Sequence, residues 1–225
     1  MPRLLAACVF VAALVVGVAE VAASTPSAPA ARGKTAPPYV ARIAKVKPRQ
    51  IRYALHTGCP TRAADLRSVR LRYWGFDDAP HLGTLIVAKQ AAKDVAAAFG
   101  ILYGARFPIR RIQPVDAYRG SDTRSMAADN TSGFNCRRAV TTGPASWSAH
   151  AYGLAIDVNP RENPYRLNGA WLPPAGKHFA NRRKVRPGMA VDGGALVQAF
   201  ARIGWSWGGR WANDPDFQHF SATGN

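Results

Sequence analysis

The sequence predicts an α+β domain. Three observations lead there. Short runs alternate apolar and polar residues, as half-buried strands do. Two stretches carry apolar residues at helical spacing. No regular strand–helix–strand rhythm links them, which makes α+β the best class.

The elements follow in chain order. Residues 69–74 alternate apolar and basic side chains and read as a strand, and residues 84–87 as a second. Ala92, Val95, Ala96, Phe99, Leu102 and Tyr103 fall on one helical face, so residues 89–103 form a helix. Pro108 then turns the chain into a short strand at 109–112. Residues 121–148 are a polar loop rich in Asn, Ser, Thr and Gly, and loops of that length in compact domains are often functional. Residues 154–158 form a strand stopped by Asn159-Pro160. A second loop-rich stretch spans 161–187. Leu196, Phe200 and Ile203 mark a short helix over 193–203, and residues 205–207 and 217–220 close the domain as short strands.

The chain of 225 residues suits one domain with a tail. Residues 1–23 read as a signal peptide: a basic start at Arg3, an apolar run over 4–18, and small residues before Ser24. The run is too short for a bilayer span, so no transmembrane segment is expected in the mature form. Residues 24–48, rich in Pro, Ala, Lys and Arg without hydrophobic period, read as a flexible basic tether. The folded domain is expected over 49–225. Lys and Arg number 30 against 13 Asp and Glu, a net charge of +17. Removing residues 1–23 takes away Arg3 and Glu20 and leaves that excess unchanged. In an exported, secreted protein this charge argues against nucleic acid and for anionic cell-wall polymers. Cys8 leaves with the signal. Cys59 and Cys136 remain as an even pair in an oxidising compartment, so a disulfide is expected. A monomer is expected.

Two motifs carry chemistry. In Ser148-Ala-His150-Ala-Tyr-Gly153-Leu-Ala-Ile-Asp157, a His and an Asp stand seven apart, with Gly153 letting the backbone turn between them. Far downstream, Asp216-Phe-Gln-His219 supplies a second imidazole and another carboxylate. His150, Asp157 and His219 together make a three-ligand zinc site with one open position. Asp216 is then free to act as general base, with Asp214 the neighbouring carboxylate. Singly, each has a blander reading: a polar loop histidine, a turn cap, a core histidine between two Phe. His56, His81 and His178 have no partner at ligand spacing. Trp205, Trp207 and Trp211 read as core rather than as a carbohydrate platform.

The pair of motifs resembles the D-alanyl-D-alanine carboxypeptidase and L-alanyl-D-glutamate endopeptidase family of zinc peptidases, over roughly residues 83–220. The resemblance implies a small antiparallel sheet with flanking helices, the core shared with lysostaphin-like peptidases and the hedgehog amino-terminal domain. It implies zinc on His150, Asp157 and His219, Asp216 as general base, and Ser148 as a hydrogen-bonding support. The segment Trp207-Gly208-Gly209 also resembles the family's Trp-Gly-Gly stretch. Family members use an upstream arginine, often after an aromatic residue, to steady the substrate oxyanion. Tyr118-Arg119 fits, with Arg124 the rival. The implied substrates are peptidoglycan stem peptides, cut at D-Ala-D-Ala or at L-Ala-D-Glu. The alternative is a zinc-containing wall-binding module without turnover.

Overall fold

The computed structural model describes residues 36–140 and 145–224. The signal peptide expected over 1–23 and the tether residues 24–35 lie outside the described residues. Among the described residues, no helix is long and apolar enough to cross a membrane.

The fold is α+β, with small antiparallel sheets and, among the described residues, three short α-helices. The first sheet has the order β1 (Ala41–Lys45), β2 (Leu66–Trp74), β3 (Pro80–Ala88), antiparallel throughout. Period-2 alternation sends Val69, Leu71 and Tyr73 of β2 to one face, where they meet Leu85 and Val87 of β3. Helix α1 (Ala92–Gly104) lays Val95, Phe99 and Leu102 on that face. Helix α3 (Ala195–Ala201) adds Leu196 and Phe200. Phe200 meets Phe99 edge-on at 6.0 Å and stacks on Phe220 at 4.4 Å between centroids. One fully buried ring thus joins α1, α3 and the second sheet, and burial of a phenyl ring contributes about 2–3 kcal/mol.

The second sheet has the order β4 (Ala155–Asp157), β8 (His219–Ser221), β7 (Ser206–Trp207). Strands β5 (Tyr165–Leu167) and β6 (Ala170–Leu172) form a hairpin inside the stretch 161–187 that the sequence reads as loop. Its strands are three residues each and half exposed, too short to leave a periodic signal. Helix α2 (Asp122–Ala127) likewise falls inside the predicted polar loop, its amino end capped by the Ser121 hydroxyl, which accepts from Arg124 N–H. The strand predicted at 109–112 does not form. Pro108 and Ile112 make isolated bridges to Trp74 and Thr131 instead.

The tether boundary at 48 also needs correction. Ala41–Lys45 pairs in register with β2, Ala41 opposite Leu71 and Lys45 opposite Arg67. This edge strand is almost wholly exposed, so its residues carry no apolar period to announce it. Cys59 and Cys136 form the expected disulfide, Cα–Cα 5.9 Å, beside a small cluster of Ile51, Ala54, Leu66, Ile86 and Phe134.

Two buried asparagines brace the exit of β4. Asn159 holds a left-handed backbone, φ 45°, which Asn tolerates better than most residues. Its carbonyl oxygen accepts from Arg110 N–H, and its amide donates to the Pro108 and Gly188 carbonyls. Asn163 donates to Val158 and Gly188 and accepts from Ala190 N–H and the Arg182 guanidinium. All of these polar atoms are satisfied, as burial requires.

Candidate metal centre

Strand pairing builds the site. Asp157 on β4 lies directly opposite His219 on β8, so both side chains leave the same face. Asp157 is held on its other edge by backbone bonds to Ser132 at 2.9 and 3.0 Å. His150 comes from a short 3₁₀ turn, Ala149–Tyr152. The Ser148 hydroxyl caps that turn by accepting from His150 N–H at 3.3 Å. Gly153 ends it with φ 68°. A side chain at 153 would be strained there and would press its Cβ to 2.5 Å from Ala88 N. That contact is the seam at which Ala88 N–H donates to the Gly153 carbonyl.

Three side chains converge. His150 Nε2, His219 Nδ1 and an Asp157 carboxylate oxygen on each side are 3.2 Å apart in every pairing. Four ligands arranged tetrahedrally at zinc distances stand about 3.3 Å apart. The triangle therefore fits a metal of that size. The other nitrogen of His150 settles its tautomer: Nδ1–H donates to the Gly133 carbonyl at 2.7 Å, which leaves the Nε2 lone pair facing Asp157 and His219. Gly133 itself packs so closely on Ile86 that a Cβ would stand 2.4 Å from its carbonyl oxygen. His150, Asp157 and His219 form the one cluster of metal-ligating side chains among the described residues, and all three are buried.

The charges support this reading. Burial alone would push the Asp157 carboxyl up, but His150 and His219 outweigh it and hold the group well below the usual carboxylate range. Asp157 is thus an anion facing two imidazoles. Asp216 behaves oppositely. Burial first, and the nearby charge of Asp157 second, push its carboxyl up to about 7. Its Oδ1 is buried with no hydrogen-bond partner. A proton-avid carboxylate with one unpartnered oxygen, beside a cluster that could hold a metal, has the properties of a general base.

Gly208 explains how Asp216 and His219 are seated. Asp216 N–H donates to the Gly208 carbonyl at 3.0 Å. A Cβ on Gly208 would lie 2.9 Å from Asp216 O, 3.2 Å from Asp216 Cβ and 3.3 Å from His219 Cβ. The glycine in the Trp-Gly-Gly stretch is therefore a packing requirement of the site. Trp205 and Trp207 are core, as expected, whereas Trp211 leans on the His219 ring at 5.3 Å.

The other predicted residues fall as follows. Ser148 supports His150. Arg119 is exposed on a left-handed residue at the end of a 3₁₀ turn, Val115–Tyr118. Arg124 is exposed and donates to the Tyr118 carbonyl. Sequence reasoning missed Arg137. Its Nε lies 3.1 Å from Asp122 Oδ2, and its positive charge acts on both Asp216 and Tyr165. Tyr165 is brought there by an isolated bridge to Asp216. Also missed was a buried acid pair, Asp129 and Glu162. Burial, then a hydrogen bond to Asp129, push the Glu162 carboxyl up to about 8. Neither residue lies within a motif, so only three-dimensional proximity reveals them.

Comparison with known proteins agrees with the geometry. No curated protein and no solved structure matches the chain. A family model described as D-alanyl-D-alanine carboxypeptidase matches residues 141–222. That span contains Ser148, His150, Asp157, Asp216 and His219, while Arg119, Arg137 and the disulfide lie outside it. By this match and by the residues it contains, the segment 141–222 is similar to the D-alanyl-D-alanine carboxypeptidase family of metallopeptidases.

Proposed function

We propose that the protein is a secreted zinc peptidase that hydrolyses a peptide bond in peptidoglycan stem peptides. The observation that carries this reading is the triangle of His150, Asp157 and His219 with Asp216, one carboxylate oxygen of which is buried and unpartnered, beside it. Zinc held by the triangle would supply a Lewis acid for the scissile carbonyl and lower the pKa of water toward 7. The chain's own residues do the rest. Asp216 accepts a proton from the attacking water and returns it to the departing amine, a role its raised pKa suits at neutral pH. His150, fixed by the Gly133 carbonyl, keeps its Nε2 aimed without a competing proton. A guanidinium steadies the developing oxyanion. The family resemblance assigns that role to Arg119, while the charge reaching Asp216 favours Arg137. Separate Arg119→Ala and Arg137→Ala variants decide between them by which loses kcat.

The reading of residues 1–23 as a signal peptide supports export to the compartment that holds stem peptides. The test is digestion of purified muropeptides by the mature chain, with and without a chelator, read by mass spectrometry. Chelator-sensitive loss of one alanine identifies a carboxypeptidase. Release of fragments after L-Ala identifies an endopeptidase. No cleavage by a protein carrying one zinc would overturn the enzymatic reading in favour of a wall-binding module.

A further inference from the structure

The strand register leaves an unusual arrangement on the face of the β1–β2–β3 sheet away from the main core. One end of that face is covered by Ile51, Ala54, Phe134 and the disulfide, which pack on Leu66 and Ile86. The other end is open, a concavity of about 370 Å³. Its lining includes Arg42, Lys45, Lys47, Arg49 and Arg70, all exposed, and no acidic residue. Arg42 stands directly opposite Arg70 in the ladder. Like charges in directly opposed positions destabilise a sheet.

Elsewhere some arginines find acids: Arg62 pairs with Asp65, Arg106 with Asp78, Arg210 with Asp192. None of the five cations in the concavity forms an ion pair among the described residues. What sets this face apart is clustering: five exposed cations line one concavity, and two of them stand directly opposed in the ladder. The floor is polar as well. Gln50 donates to the Ser68 hydroxyl at 3.0 Å, which ties the turn bearing Lys47 and Arg49 to β2. The cations are thus presented by backbone held in two ways, through strand pairing and through this bond.

We propose that this face binds a linear phosphodiester polymer of the cell wall and tethers the enzyme to its substrate. Unpaired guanidinium and ammonium groups around hydroxyl and amide groups match successive phosphates, and arginine suits phosphate recognition through its fixed fork of donors. A polyanion would also relieve the Arg42–Arg70 repulsion. The choice of a wall polymer rests on the proposed function; the basic site itself does not.

The test uses the mature, zinc-loaded chain and synthetic poly(glycerol phosphate). The pair Arg42→Gln with Arg70→Gln is compared with Lys93→Gln and Arg202→Gln, exposed cations outside the concavity that change the net charge equally. The first pair should weaken binding at least about tenfold and flatten the dependence of log Kd on log salt, because fewer counterions are released. The second pair should stay within about twofold. Both should cleave soluble muropeptides like the native chain, so loss of binding and failure of the enzymatic reading are separate results. Equal weakening by the two pairs would overturn the proposal, as would Arg42- and Arg70-dependent binding to phosphatidylglycerol vesicles without binding to the polymer.

Discussion

Gly208→Ala puts a single methyl group where the site has no room. The added carbon would sit 2.9 Å from the Asp216 carbonyl oxygen, and 3.2 and 3.3 Å from the Cβ atoms of Asp216 and His219. Ordinary van der Waals contact needs about half an ångström more at the oxygen, and the atoms in the way are backbone and Cβ, which cannot swing aside as a side-chain tip can. The strain must spread into the segment that carries both the candidate base and a ligand. Overpacking of this kind costs about 1–3 kcal/mol, or roughly 5 °C in Tm for a chain of this size. Activity should suffer more. Misplacing a catalytic group by about 1 Å can cost about a hundredfold, so a shift of half that size should lower kcat/KM by roughly tenfold or more. The assay is muropeptide turnover beside thermal unfolding and metal content. An alanine variant with native kcat/KM would refute the reasoning that Gly208 seats the site.

Two further predictions concern stability. Replacing Cys59 and Cys136 by Ser opens a link spanning 77 residues of sequence separation. Loop-closure entropy puts the loss at about 4.5 kcal/mol as an upper bound, read by denaturant unfolding. Unchanged stability would mean that the cluster around Ile51 and Phe134 suffices alone. Glu162→Gln tests the buried acid pair. The folded carboxyl titrates at about 8 against an ordinary value of 4.5, so the native state keeps a proton that the unfolded chain gives up. Its contribution is fully present below pH 4.5 and is lost as pH rises toward 8, on the order of a few kcal/mol. The Gln variant lacks that loss. Its Tm relative to the native chain should therefore climb between pH 5 and 8, and a difference independent of pH would refute the protonated pair.

The sequence made the strands that bury one face legible, because β2 and β3 alternate cleanly and α1 keeps its helical stripe. It hid β1, whose exposed basic residues look like a tether until the register with β2 is seen. The hairpin β5–β6 and helix α2 were hidden for a related reason: segments of three to six residues are shaped by what they pack on rather than by their own periodicity. The clustering of His150, Asp157 and His219 was legible because these residue types are rare together and their neighbours, Gly153 and Ser148, have turn-forming roles that sequence can express. Arg137 was not legible. Its approach to Asp216 depends on the long chain path from α2 to the turn at 149–152, and no spacing rule connects the two.

The pairing of a metal-holding triangle with a separate proton-transferring carboxylate is tested most directly by Asp216→Asn. The amide keeps the shape of the side chain and removes its basicity. The account predicts one metal ion bound per chain, as in the native protein, with turnover of muropeptides reduced about 10²- to 10⁴-fold. Retained turnover would contradict the assignment of Asp216 as base. Loss of the metal would contradict the separation of the base from the His150, Asp157 and His219 ligand set.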